Sequence, residues 1–182
     1  PYATIAKALA IAGGSGYQIT LFPSSTPYDG NTITNQNLTI CSVSQSGGAL
    51  TSIAATTISN SASSIRLVNI GFPSGLTFTG SGRLYTQNCY GTNLVFTGSG
   101  YFNSFNDDFS DGTISITGNG LYTFSDGSLV GPVTVDNASA VATFTNTEII
   151  YSLIVTAGVA ALNNCVVTAT TVGGYAASVA SG

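Results

Sequence analysis

Charge is what this sequence most conspicuously lacks. Of 182 residues only 5% are charged, where an ordinary globular domain carries roughly a quarter. Three basic residues, Lys7, Arg66 and Arg83, stand against a formal net charge of −4. Such a chain cannot neutralise a phosphate backbone, which excludes nucleic acid as a partner. Histidine is absent and no CxxC pair occurs, so a zinc site has no ligands to draw on. No run of 18 or more apolar residues exists, so no membrane-spanning helix is expected. The opening Pro1-Tyr2-Ala3 has neither a charged n-region nor an apolar h-region, and the expectation is a chain without a signal peptide. It also lacks an initiator Met, as a fragment of a longer fibre would.

Gly, Ser, Thr and Asn fill the places where Lys and Glu usually sit. A chain with 43% hydrophobic residues and so little charge is expected to hide part of its surface against other copies of itself. Three cysteines, Cys41, Cys89 and Cys165, remain. Cys89 follows Asn88 and Cys165 follows Asn164, which puts both at one place in a repeat, four units apart. At about 4.8 Å per unit they are too distant for a disulfide, and all are read as buried thiols.

What is abundant is repetition. Phe78-Thr79-Gly80-Ser81-Gly82 returns as Phe96-Thr97-Gly98-Ser99-Gly100, then as Ile116-Thr117-Gly118-Asn119-Gly120, and more loosely at Val135 and Val155, a nearly even spacing along the chain. A period of this size means stacked units, each burying its apolar side against its neighbours. Two inward columns follow: Leu76, Leu94, Ile114, Val133, Leu153 and Phe78, Phe96, Ile116, Val135, Val155. Thr77, Thr79, Val95, Thr97, Ser115, Thr117, Thr134 and Thr156 alternate outward. Extending the period towards the N-terminus places Ile58 under Phe78 and Leu38 under Ile58. A second strand per unit aligns Ile65, Leu84, Phe102, Tyr122 and Val141, with Tyr122 and Phe124 facing the core.

After each second strand comes Asn69, Asn88, Asn106, Asp126, Asn146 or Asn164, again once per unit. An Asn at one corner of every unit fits a left-handed turn and can bond its amide to the Asn above and below. Asp126 cannot donate, so it should weaken that ladder. Units advancing by one strand spacing pair in parallel and in register, which gives an all-β fold: a right-handed single-stranded parallel β-helix of six or seven coils over residues 15–182. Residues 1–14, with Ile5, Ala8, Leu9 and Ala12 on one stripe ending at Gly13-Gly14, form a capping helix over the open end.

Candidate chemistry is sparse. Asp107, Asp108 and Asp111, with Asp126 one coil away, offer the paired carboxyl groups that a glycoside hydrolase would need, about 5 to 9 Å apart. The simpler reading is a solvated turn. No cofactor or metal is expected, Asp107, Asp108 and Asp111 departing from an EF-hand loop. Arg66 and Arg83, a little less than one repeat apart, can stack on neighbouring coils. Tyr85, Tyr101 and Tyr151 are the candidate binding residues, as an outward sugar-stacking surface or a contact between copies, with Tyr90 and Tyr175 in turns or late coils.

The segments 2–12, Tyr17-Gln18-Ile19-Thr20-Leu21-Phe22-Pro23 and Asn37-Leu38-Thr39-Ile40 resemble the capping helix and first coils of the pectin-lyase-like β-helix superfamily, in the version found in bacteriophage tail fibres and tailspikes. The resemblance implies a parallel homotrimer located in the virion, with a structural and receptor-binding role in attachment to a host cell-surface polysaccharide. The calcium site and catalytic arginine of pectate lyases are not recognisable, so no residue carries over. A polysaccharide depolymerase on the same scaffold and a bacterial adhesin or passenger β-helix are the competing readings.

Overall fold

In the computed structural model the described residues are 4–11, 16–34, 37–43, 51–61, 63–168 and 177–179. They form a parallel β-solenoid of about seven turns preceded by one short helix. The strands pair in parallel with those one coil away, mostly in the register that the sequence columns specify. Leu94 lies between Leu76 and Ile114, and Phe96 between Phe78 and Ile116. Val133 and Val135, then Leu153 and Val155, continue both columns. All of these side chains are buried.

Each coil has three sides. The first sheet stacks Thr32–Thr34, Thr56–Ser59, Leu76–Phe78, Leu94–Phe96 and Ile114–Ile116, then residues 133–135 and 153–155, with Ala177–Val179 next. The second stacks Tyr17–Leu21, Leu38–Ser42, Ser64–Val68, Arg83–Gln87, Tyr101–Phe105 and Leu121–Ser125, then residues 141–145 and 159–163. The third is narrow, running through Gly71–Phe72, Tyr90–Gly91, Asp108–Ser110 and residues 128–130 to Val166–Thr168.

The corner between the first and second sheets explains the recurring glycines. A Cβ on Gly98 would lie 2.1 Å from the carbonyl oxygen of Gly80, and one on Gly118 would lie 2.0 Å from that of Gly98. Coils touch backbone to backbone here, leaving no room for a side chain. Inside, Phe96, Phe102, Tyr122, Phe124 and Phe144 form a continuous aromatic cluster, with Phe124 and Phe144 stacked at 5.0 Å. The Tyr122 hydroxyl is satisfied, donating to Gly98 O at 2.7 Å and accepting from Gly120 N–H. Leu121 beside it points outward, 52% exposed, so the alternation along the strand is regular.

Three register expectations are corrected. Leu38 does not lie under Ile58: Ile58 pairs with Ile33, and Leu38 belongs to the second sheet beneath Ile65. The early coil from Ile33 to Ile58 is simply longer than those that follow, so the later period lands on the wrong sheet. Nor does Val141 continue the inward column. Ala142 pairs with Tyr122, and Val141 pairs with exposed Leu121. The corner from Val135 to Val141 is longer than that from Ile116 to Leu121, which lengthens the step on the second sheet relative to the first. Arg66 and Arg83 also do not stack: Arg66 pairs with Tyr85, and Arg83 pairs with Ser64.

Helix α1 (Ile5–Ile11) buries Ile5, Ala8 and Leu9 against the first coil, as expected of a cap. Ala12, Gly13 and Gly14 lie outside the described residues. Of the thiols only Cys89 is buried; Cys41 and Cys165 are half-buried. Cys41 faces out because Leu38, Ile40 and Ser42 take the inward positions of its strand.

Candidate functional site

The polar ladder occupies the corner between the second and third sheets. Asn69, Asn88, Asn106, Asp126, Asn146 and Asn164 all have left-handed backbone, with φ from 49° to 56°. Asn88 donates its amide to Asn69 at 3.1 Å, Asn106 to Asn88 at 2.8 Å, Asn146 to Asp126 at 2.9 Å and Asn164 to Asn146 at 2.8 Å. Asp126 has no proton to pass to Asn106, and that rung is missing. This row is a device for turning and stacking the chain; the amides of Asn88, Asn106, Asn146 and Asn164 are occupied within it.

Immediately after the ladder comes an inward position, filled in successive coils by Ile70, Cys89, Asp107, Gly127, Thr147 and Cys165. Asp107 is therefore not in a solvated turn, as its sequence suggests, but 1% exposed. Its carboxylate accepts from the Thr86 and Ser104 hydroxyls and from Cys89 N–H at 2.7 Å. Gly127 stacks on it in the next coil, so close that a Cβ there would lie 2.4 Å from Asp107 O. Burial pushes the Asp107 carboxyl up to about 6, against the pull of its donors. Burial, with the nearby Asp107 charge, pushes the Cys89 thiol up to about 12.

The fold separates the four candidate acids. Asp107 is inside, Asp108 is exposed on the third sheet, Asp111 is exposed at the next corner with φ 60°, and Asp126 is in the ladder accepting from Asn146. Asp107 is stacked against Gly127, not Asp126. Among the described residues no group of three or more acidic or thiol side chains is placed to hold a metal ion.

What the fold does bring together is the outer surface of the second sheet. One outward column runs Ser64, Arg83, Tyr101, Leu121 and the next runs Thr39, Arg66, Tyr85, Asn103, Thr123. A third holds Gln87 and Phe105. Each arginine thus sits one coil below a tyrosine, in adjacent columns. Tyr85 and Tyr101 approach at 6.1 Å with their rings inclined by 57°. Arg66 Nη2 donates to Gln87 Oε1, fixing the guanidinium over the sheet, and Asn103 Nδ2 donates to the Tyr101 hydroxyl. Shallow clefts of about 690 Å³ and 490 Å³ flank the Ser64–Arg83–Tyr101 column.

Two of the expected binding residues, Tyr85 and Tyr101, meet here. Tyr151 does not: it pairs with Gly131 between the third and first sheets, with φ 119°. Tyr175 lies outside the described residues. Sequence reasoning missed Arg66, Gln87, Asn103 and Phe105 as parts of this surface, although the alternation of Arg83, Tyr85 and Gln87 along one strand carried the signal. Comparisons of the chain with protein-family models, with curated proteins and with solved structures gave no match.

Proposed function

We propose that this chain is a structural and receptor-binding segment of a bacteriophage tail fibre or tailspike of the pectin-lyase-like kind, acting as a parallel homotrimer in attachment to a host cell-surface glycan. The observation that carries the reading is a stiff parallel solenoid with two arginines and two tyrosines converging on one outer sheet. Parallel stacking satisfies the backbone groups coil by coil, which gives a rod stiffness without a large charged surface. Planar amides and aromatic rings are the groups that sugars use for orientation and stacking. Each contact is weak, and three copies on one rod would multiply them. Cleavage finds less support, because the most perturbed carboxylate, on Asp107, is enclosed and fully engaged.

The test joins molar mass to adhesion. Light scattering is expected to give three times the chain mass, and the labelled protein is expected to bind host bacteria and to block phage adsorption to them. A monomer that binds no cell surface would end the reading. New reducing ends released from host polysaccharide, and lost in Asp126→Asn, would replace it with the depolymerase.

A further inference from the structure

The seven acidic residues of the chain outnumber its three basic ones, yet none of them lies on the second sheet. The strands Tyr17–Leu21, Leu38–Ser42, Ser64–Val68, Arg83–Gln87, Tyr101–Phe105 and Leu121–Ser125 contain no Asp or Glu. Neither do residues 141–145 and 159–163. Asp108 and Glu148 are on the third sheet, Asp107 is enclosed, Asp29 precedes the first sheet, and Asp111, Asp126 and Asp136 are at or beside corners. A net-negative molecule therefore presents one face with two guanidinium groups and no carboxylate among its described strands. A neutral sugar would gain nothing from that segregation.

The two arginines are offset by one coil and by two residues along the strand. That places their Cα atoms roughly 8 Å apart, from strand spacings of about 4.8 Å and a rise of about 3.4 Å per residue. Arg66 spends one N–H on Gln87 and keeps others of its donors for a ligand. Arg83 is exposed beside Ser64 and Tyr101. A guanidinium recognises an oxyanion by directing paired N–H groups at two of its oxygens, while the tyrosine above each offers a ring for a sugar to lie on.

We propose that the outer face of the second sheet binds an acidic polysaccharide, with Arg66 and Arg83 engaging two anionic groups of one chain and Tyr85 and Tyr101 stacking on the sugar rings between them. This deepens the glycan-attachment reading and rests on it. Carboxylate and sulfate esters share the chemistry required.

The experiment is calorimetric titration of the intact chain at low salt with oligogalacturonate, with a heparin fragment and with neutral dextran. One or both acidic probes are expected to bind, and dextran is not. Binding by oligogalacturonate alone would assign carboxylate, and by heparin alone sulfate. Arg66→Gln and Arg83→Gln are each expected to weaken binding roughly tenfold, the loss of one charge-assisted contact. Tyr85→Ala should weaken it as well, whereas Lys7→Gln, which removes the same charge from the capping helix, should leave it unchanged. Raising the salt should reduce affinity.

No binding of either acid, or binding lowered equally by Lys7→Gln, overturns the proposal. So does loss of the oligomer in Arg83→Gln, because the face would then be a contact between copies. If acidic probes fail while the protein still adheres to host cells, this inference falls and the attachment reading stands; if adhesion fails too, both fall.

Discussion

Replacing Asp126 by Asn should complete the ladder. In the native chain four rungs join six corner residues, and the gap lies between Asn106 and Asp126, where two acceptors face each other. Asp126→Asn adds a donor at a position whose φ of 56° already suits Asn. One new exposed hydrogen bond contributes about 0.5–1.5 kcal/mol. Against it, the bond from Asn146 loses its charged acceptor, a few tenths of a kcal/mol in an exposed place. The net gain is about 0.5–1 kcal/mol, which for a chain of this length raises Tm by about 1–4 °C.

Differential scanning calorimetry at pH 7 measures this directly. The converse, Asn88→Asp, retains the acceptor for Asn106 and removes the donor to Asn69, so it should lower Tm by a similar amount. In an Asn106→Gly background, where no acceptor waits below, Asp126→Asn should gain nothing, a coupling that isolates the rung. A Tm for Asp126→Asn equal to or below that of the native chain, with Asn88→Asp no longer destabilising, would refute the ladder as a source of stability.

Two further perturbations probe the interior. Asp107 titrates near 6 when folded against an ordinary 3.8, so the folded state holds more protons between those values and stability falls as pH rises from about 4 to about 6. About two pH units correspond to up to about 3 kcal/mol; the Tm advantage of Asp107→Asn over the native chain should therefore grow across that window, and a constant difference from about pH 4 to about pH 7 would count against the buried ionisation. Gly118→Ala would press a methyl group onto Gly98 O and the Tyr122 hydroxyl, costing roughly 2–4 kcal/mol and lowering Tm by about 4–16 °C, whereas the exposed corner neighbour Ser99→Ala should change it little.

The fold was legible because its signals repeat. Leu76, Leu94 and Ile114 can be aligned by eye, and so can the Asn row, whose left-handed backbone follows from what Asn does cheaply at a corner. Errors arose where a coil broke period, at the long early coil before Ile58 and at the corner before Val141. A longer corner moves every later alignment on the next sheet while leaving the previous sheet untouched. The arginine–tyrosine face was only half legible: Tyr85 and Tyr101 are visible as outward residues, but Arg66 joins them only through its pairing with Tyr85 on the next coil.

The sequence by itself determined the stacking of coils, the core columns that begin at Leu76 and Phe78 and the chemistry of the turning corner, because each depends on a local pattern that recurs at one period. The tertiary structure alone decided that Asp107 is enclosed and that the two arginines, two tyrosines and Asn103 share a carboxylate-free face. Both outcomes depend on which residue of one coil lies over which residue of the next. That alignment is set by the summed lengths of three corners, a quantity no single stretch of sequence contains.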